Sequence, residues 1–378
     1  MVIKKVIFRV LLMILAINAI APAYGQIIYG SPSSGDIQLY YSSWKVSQDS
    51  GDVTIDQWII PISFFIPIRD NFEARLQIAE CNNNLEMPGE NYSLSGINDL
   101  RLLLSHSFYD DRLLASVGVN VPTGKKKLDY YSERDVIEEL SRDYLDFPIR
   151  RLGEGFGFNL LLGGATVAGP AKLGAGLMYY YSGEYEPYGG LAKYDPGDSY
   201  GINVSGELSD EKTTLYSNMA YTGFGVDKQN GIKAFKHSPQ VDFSVGGVYA
   251  YKKYAFRINT SYLVRGRHTR YDLEIGDIVE QLKLYGNEFA VMARFDYYPS
   301  EKWYLSPQVE TRQIGANEET DTEYLDKSSL YGFGGTIGNR LSETMNASAG
   351  FKYYTGSADG GNLDLSGFQV VLSLMATF

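Results

Sequence analysis

His106, His237 and His268 are the three histidines of a 378-residue chain. Hydrolytic or acyl-transfer chemistry would need one of them as the base for an activated serine, with a third polar group to orient it. Ser105-His106-Ser107 supplies the residue types, but neighbouring side chains in an extended chain point to opposite faces. His106 shares the phase of Leu100, Leu102 and Leu104. An imidazole at an apolar boundary is the favoured reading; a lipid-modifying enzyme working through His106 is the alternative, and His106→Ala separates them. His237 and His268 fall in polar stretches with no partner motif. No Cys/His spacing suits zinc, and no calcium loop is complete. The glycines at 153–157 precede no helical pattern that would cradle a phosphate. The expectation is no catalytic residue, no metal and no cofactor.

The charged residues repay more attention. Glu73, Arg75, Asp99, Arg101, Asp242, Arg257, Arg294, Asp296, Glu310 and Lys352 fall on the face opposite the apolar one. Phe72, Ala74, Leu76 and Ile78 oppose Glu73, Arg75 and Gln77. Phe289, Val291, Ala293, Phe295 and Tyr297 oppose Met292, Arg294 and Asp296. Period-2 alternation over eight to twelve residues marks strands. If the apolar faces meet lipid, those ten charges line a lumen, because an Arg or Lys on the lipid side at mid-depth costs roughly 2–4 kcal/mol. They would pair across strands to stiffen the wall, or select solutes; both readings stand. Phe65, Leu103, Leu161, Met178 and Met292 share the inner face, which is more apolar than a purely aqueous pore requires.

About sixteen such strands can be counted, with fourteen as the alternative. Short links centred on 69–71, 110–111, 169–170, 209–211, 252–253, 299–301 and 341–343 alternate with long polar segments at 47–56, 81–96, 122–154, 182–198, 222–238, 264–287, 312–328 and 355–366. A soluble sandwich has no reason to keep that asymmetry; a transmembrane barrel does. Tyrosine pairs near strand ends (Tyr40-Tyr41, Tyr180-Tyr181, Tyr297-Tyr298, Tyr353-Tyr354) suit interfacial girdles. One apolar face per strand also explains a mean hydropathy of only −0.20. The fold expected is all-β: a transmembrane antiparallel up-and-down β-barrel over 26–378, with long extracellular loops and short periplasmic turns.

Residues 1–25 read as a signal peptide: basic Lys4, Lys5 and Arg9, an apolar Val10–Ile17, then small residues around Ala23-Tyr24-Gly25. Removing them takes away three cations and no acid from a chain of net charge −11, leaving it near −14. That charge argues against nucleic acid as a partner. Cys81, the single cysteine, has no lipobox before it and reads as an unpaired thiol in a loop. Phe368, Val370, Leu372, Leu374, Ala376 and Phe378 alternate to the terminus, so Phe378 is the expected assembly signal for the barrel-assembly machinery. Only Gln26 to about Ser34 precede the first strand, too little for the plug of a gated transporter.

Within 122–154, Ser132 is a candidate N-cap, and Val136, Leu140 and Tyr144 recur at the spacing of one helix face. Such a helix either folds into the barrel mouth as a constriction or lid, or packs on the outer rim or on other loops.

Gly96-Ile97-Asn98-Asp99-Leu100 followed one hairpin later by Val119-Asn120-Val121-Pro122-Thr123-Gly124 resembles the meta-pathway phenol-degradation-type outer-membrane channel family. Trp58 to Pro67 running into Asp70-Asn71 and 72–78 fits the same pattern, and long-chain fatty-acid transporter barrels are a more distant likeness. The resemblance covers about the first half of the mature chain; Asn98 stands where the family usually has glycine or another small residue. It implies an outer-membrane channel for passive uptake of small hydrophobic or aromatic molecules, with membrane lipid and lipopolysaccharide as surroundings. The reading from a different class is a non-transporting barrel: an adhesin, an assembly partner or a structural anchor.

Overall fold

The computed structural model describes residues 32–318 and 325–378; the expected signal peptide lies outside them. Strand segments are numbered here in chain order. The wall begins with β1 (Ser34–Gln48), β2 (Gly51–Arg69) and β3 (Phe72–Met87). β4 (Glu90–Ile97) and β5 (Leu100–Phe108) lie in line as one interrupted strand, followed by β6 (Leu113–Val121), β7 (Gly157–Ala168) and β8 (Ala171–Ser182). β9 (Tyr194–Asp195) stands outside the wall; β10 (Ser199–Ser209) and β11 (Thr213–Phe224) return to it. A second excursion carries β12 (Asp227–Gln229) and β13 (Ile232–Lys236) before wall strands β14 (Gln240–Tyr251) and β15 (Tyr254–Arg265). A third carries β16 (His268–Tyr271) and β17 (Ile278–Leu282). The wall ends with β18 (Glu288–Tyr297), β19 (Trp303–Ile314), β20 (Ser328–Arg340), β21 (Met345–Ala358) and β22 (Leu363–Thr377).

Wall neighbours are antiparallel, and β1 pairs with β22 from Ser34 opposite Thr377 to Ser47 opposite Asp364. The sheet therefore closes on itself, with sixteen wall positions once β4 and β5 are counted as one. Closure removes every free edge, the condition for strands to cross a bilayer.

The outer surface is an apolar belt. Phe243, Val245 and Tyr249 on β14 and Phe256, Ile258, Tyr262 and Val264 on β15 are all exposed. Aromatics gather at both ends of the strands: Tyr200, Tyr221 and Tyr331 toward the long loops, Tyr251, Tyr254 and Trp303 toward the short turns. Tyr254 stacks on Tyr297 at 5.3 Å between ring centroids.

Three long segments are not loops. At 47–56, 81–96 and 355–366 the strands run on past the membrane and turn tightly. Gln48 pairs with Gly51, Met87 with Glu90, and Ala358 with Leu363. The reason lies in the alternation, which inverts. Along β3 the outward face changes from Phe72, Ala74, Leu76 and Ile78 to Glu80, Asn82, Asn84 and Glu86. The inward face changes from Glu73, Arg75 and Gln77 to Ala79, Cys81, Asn83 and Leu85. Below the inversion the outside is lipid; above it the outside is water and the inside is a protein core. Cys81 is thus no loop thiol. It is a buried inward residue of β3, 1% exposed.

Candidate functional site

The core inside the tall hairpins is built around the segment 122–156. Its helix, α1 (Arg134–Leu140), spans seven residues, about two turns, and Glu133 rather than Ser132 occupies the N-cap position. Asp129 takes the Ser132 backbone N–H and hydroxyl, both at 2.9 Å, so Ser132 closes the preceding turn. Val136, Leu140 and Tyr144 are buried, together with Ile137, Leu145, Phe147 and Leu152. They join one cluster with Trp44, Ile55, Cys81, Leu85 and Leu94 of the first hairpins and Ile314, Leu330, Tyr354 and Leu365 of the last strands. Burying an aliphatic side chain of this size stabilises by about 1.5–3 kcal/mol, so the helix is held inside the mouth rather than on its rim.

Polar contacts fix the same segment to the wall. Between Ile97 and Leu100 the wall strand carries one extra residue relative to β3, a bulge. Asn98 stays in register there, its side-chain oxygen accepting the Ala79 N–H at 2.7 Å. The bulge turns Asp99 inward. Its carboxylate accepts the Gly124 N–H at 2.9 Å, the Glu154 N–H at 2.8 Å and the Asn120 amide at 3.0 Å. Thr123 Oγ1 accepts the Leu100 N–H at 2.9 Å and donates to the Asn98 carbonyl at 3.2 Å. The two short motifs read from the sequence therefore meet in one junction where segment 122–156 leaves and rejoins the wall. Elsewhere, Gln57 donates to the Ile149 carbonyl at 2.6 Å and Arg312 to the Asp143 carbonyl at 2.6 Å.

Beside this segment, β3, β5, β6, β7 and β8 line a cavity of about 580 Å³. Arg75, Arg101, Leu103, Ser105, Asn120, Leu161 and Tyr180 face it. A second cavity of about 450 Å³ lies against the same segment at Ser141 and Phe147–Gly153. The two share Arg101, Asn120 and Glu154 as lining residues.

The ten charged residues singled out from the sequence separate into groups. Arg257 and Arg294 both donate to Asp296, at 2.7 and 2.6 Å, near the periplasmic end of the opposite wall. Lys352 pairs with Glu310 at 2.9 Å. Arg75 pairs with Glu73 at 3.1 Å and lies over the Phe65 ring; Glu73 itself is 1% exposed and offers the lumen little. Asp242 is half-buried on β14. Asp99 is not open lining but a buried clamp. Arg101 alone of the ten stands where the two cavities meet. Gln57, Thr123, Asn120, Glu154 and Arg312 were missed as site residues; Asn120 and Thr123 lay within the quoted motif, whereas nothing around Gln57 marks it.

His106 faces outward near the short turns, its Nδ1 at 2.7 Å from the Asn71 carbonyl and its ring against Phe108. Ser105 and Ser107 are buried on the other face. His237 and His268 meet in a second structure above the mouth. β9, β12, β13, β16 and β17 form a five-stranded canopy sheet over the strands that follow the lid. His268 is buried there, stacked on Phe235 at 5.3 Å. The Ser238 N–H donates to its Nδ1 at 3.2 Å. Burial, with His237, Arg265 and Arg270 nearby, holds its pKa down at about 4. His237 stands 3.6 Å from Asp227. Among the described residues no group of three metal-ligating side chains forms.

A closed sixteen-stranded barrel with an apolar outer belt between aromatic girdles, polar inside, is a transmembrane β-barrel of the outer-membrane type. Among solved structures it is similar to a Pseudomonas aeruginosa FadL homologue, at 10% identity and a TM-score of 0.46 over 93% of each chain. It is also similar to OprD of Pseudomonas aeruginosa, at 10% identity and 0.48 over 95% of this chain and 96% of that one. The CymD monoaromatic hydrocarbon channel is similar at 10% identity and 0.44 over 92% and 89%. Likeness at that level says nothing of solute or mechanism. No protein-family model and no curated protein matches the chain.

Proposed function

We propose that the protein is an outer-membrane channel through which small hydrophobic or aromatic molecules pass passively. The observation that carries this is the lumen itself: about 580 Å³ of mixed apolar and polar surface, adjoining a second cavity under a lid made from the chain's own loop. Cavities of 300–1,000 Å³ suit small organic molecules rather than ions alone. Leu103, Leu161 and Tyr180 supply apolar contact, which a water-filled diffusion pore does not need. The resemblance of 96–100 and 119–124 to meta-pathway phenol-degradation-type channels points the same way. In this reading Phe378 is the assembly signal, lipid and lipopolysaccharide surround the belt, and no residue acts as a catalyst.

The completeness of the lid's docking favours a second reading, a closed barrel with an adhesive, assembly or anchoring role. Single-channel recording in a planar bilayer separates the two. Conductance steps that small aromatic solutes interrupt support the channel. Silence from protein shown to be folded by heat-modifiable gel mobility rejects it.

A further inference from the structure

Most of the lumen's charges are spent within the wall. Asp296 bridges Arg257 and Arg294, a trio that keeps one net positive charge, while Glu310 pairs with Lys352, Glu73 with Arg75, and Glu288 holds Arg312 at 2.5 Å. Arg101 differs. Among the described residues it has no hydrogen-bond or ion-pair partner. Register explains why. Arg101 lies opposite Gln77 on β3 and Asn120 on β6, so no acid faces it across either strand pair. The acid nearest along its own strand, Asp99, is consumed by the lid junction.

Glu154 is the complementary case. Its backbone N–H is given to Asp99, but its carboxylate forms no ion pair among the described residues, and its side chain is exposed. Arg101 and Glu154 line both cavities. A solute moving from one cavity to the other therefore passes an unpaired cation and an unpaired anion on the same short stretch of lumen. Fixed charges of opposite sign that face a confined path act on what passes between them.

We propose that Arg101 and Glu154 form a selectivity point for small aromatic acids bearing a second hydrogen-bond donor. Arg101 takes the carboxylate through its forked N–H donors. Glu154 accepts from a hydroxyl or amine at the other end of the solute. The ring lies against Leu103 and Leu161 in the cavity below. This inference rests on the channel reading and deepens it by assigning a solute class.

The experiment is flux into proteoliposomes of the purified full chain, comparing 4-hydroxybenzoate with the uncharged 4-hydroxybenzyl alcohol. The reading is the acid-to-alcohol ratio. Arg101→Gln is expected to lower that ratio roughly tenfold, the worth of one charge-assisted hydrogen bond, and Arg101→Lys to restore part of it. Glu154→Gln is expected to speed benzoate, which lacks the donor, more than 4-hydroxybenzoate. An unchanged ratio in Arg101→Gln while the alcohol still passes overturns the selectivity point and leaves the channel standing. Passage of neither solute through folded wild-type protein overturns the channel itself.

Discussion

Asp99 accepts the backbone N–H of Glu154 at 2.8 Å across 55 positions of chain, and the same carboxylate takes the Gly124 N–H at 2.9 Å. One side chain thus gathers both ends of the lid. Each hydrogen bond to a charged acceptor contributes about 1.5–3 kcal/mol. Asp99→Ala is expected to loosen the lid without opening the barrel. The measurement is reaction of Cys81 with a thiol reagent, since that residue is sealed beneath the lid. A thiol as unreactive as in the wild type would show that the junction does not hold the lid down.

Leu140 packs wholly inside the mouth, 1% exposed. Leu140→Ala removes a buried leucine, at a cost of about 2–5 kcal/mol to docking, and deletion of 131–146 removes the helix altogether. Both are expected to raise single-channel conductance, the deletion more. If the deletion leaves conductance unchanged, the helix does not obstruct the path.

A Cβ added at Gly124 would stand 2.1 Å from the Leu152 carbonyl oxygen, a backbone atom that cannot step aside alone. Gly124→Ala is therefore expected to displace the returning strand of the lid and reproduce the Cys81 exposure of Asp99→Ala. Wild-type protection of the thiol in this variant would mean that the junction relaxes around the extra methyl group.

The canopy should weaken in acid. An unfolded histidine titrates near 6.5, whereas His268 is held at about 4 in the folded sheet. Between those values the unfolded canopy binds the proton and the folded one does not. The stabilisation is complete above about pH 6.5, falls away as pH drops toward 4 and then levels, for a loss on the order of 2–3 kcal/mol. Amide exchange at Phe235 and Lys236, which pair with Arg270 and Thr269, should show this slope after correction for intrinsic rates. His268→Phe should lack it; an identical slope in that variant would assign the acid sensitivity elsewhere.

Asp296 is fully buried between two guanidinium groups. Asp296→Asn leaves Arg257 and Arg294 uncompensated near the periplasmic end of the lumen. The reversal potential in a salt gradient is expected to shift toward anion preference, more at low ionic strength, where screening is weaker. An unchanged reversal potential would place the pair outside the conducting path.

The barrel was legible because lipid imposes a strict rule on strands such as 254–265 and 288–297: every second residue apolar, over the full span. The helix at 134–140 was legible for a similar reason, since Val136, Leu140 and Tyr144 must share a face to be buried. The tall hairpins were not. Above Ile78 the outside of β3 is water, and Glu80, Asn82, Asn84 and Glu86 there have the composition of a loop while keeping the geometry of a strand. The two faces exchange chemistry at that height, and a reading that follows one face loses it. The clamp at Asp99 escaped for a different reason. Alternation places it among lumen residues, but only the bulge beside it and the return of a segment 55 residues later decide what its carboxylate holds. Arg101 stands out only once the acids facing the other lumen arginines, Glu73, Glu288 and Asp296, are seen to hold them.

The lid packs on β1 to β4 on one side and on β19 to β22 on the other, and the closing seam between β1 and β22 runs between them. The segment is therefore also a strap laid across the join from within. The seam unites residues more than 300 positions apart, with Phe378 donating its N–H to the Ser33 carbonyl at 2.8 Å. Contacts of that sequence separation are the slowest to form. The cylinder cannot be completed before β22 reaches β1, and the strap has no complete surface to grip until it is. A barrel whose ends fail to meet would show a swinging strap and an open side at once, which makes the mouth's closure a sign that the circle beneath it is whole.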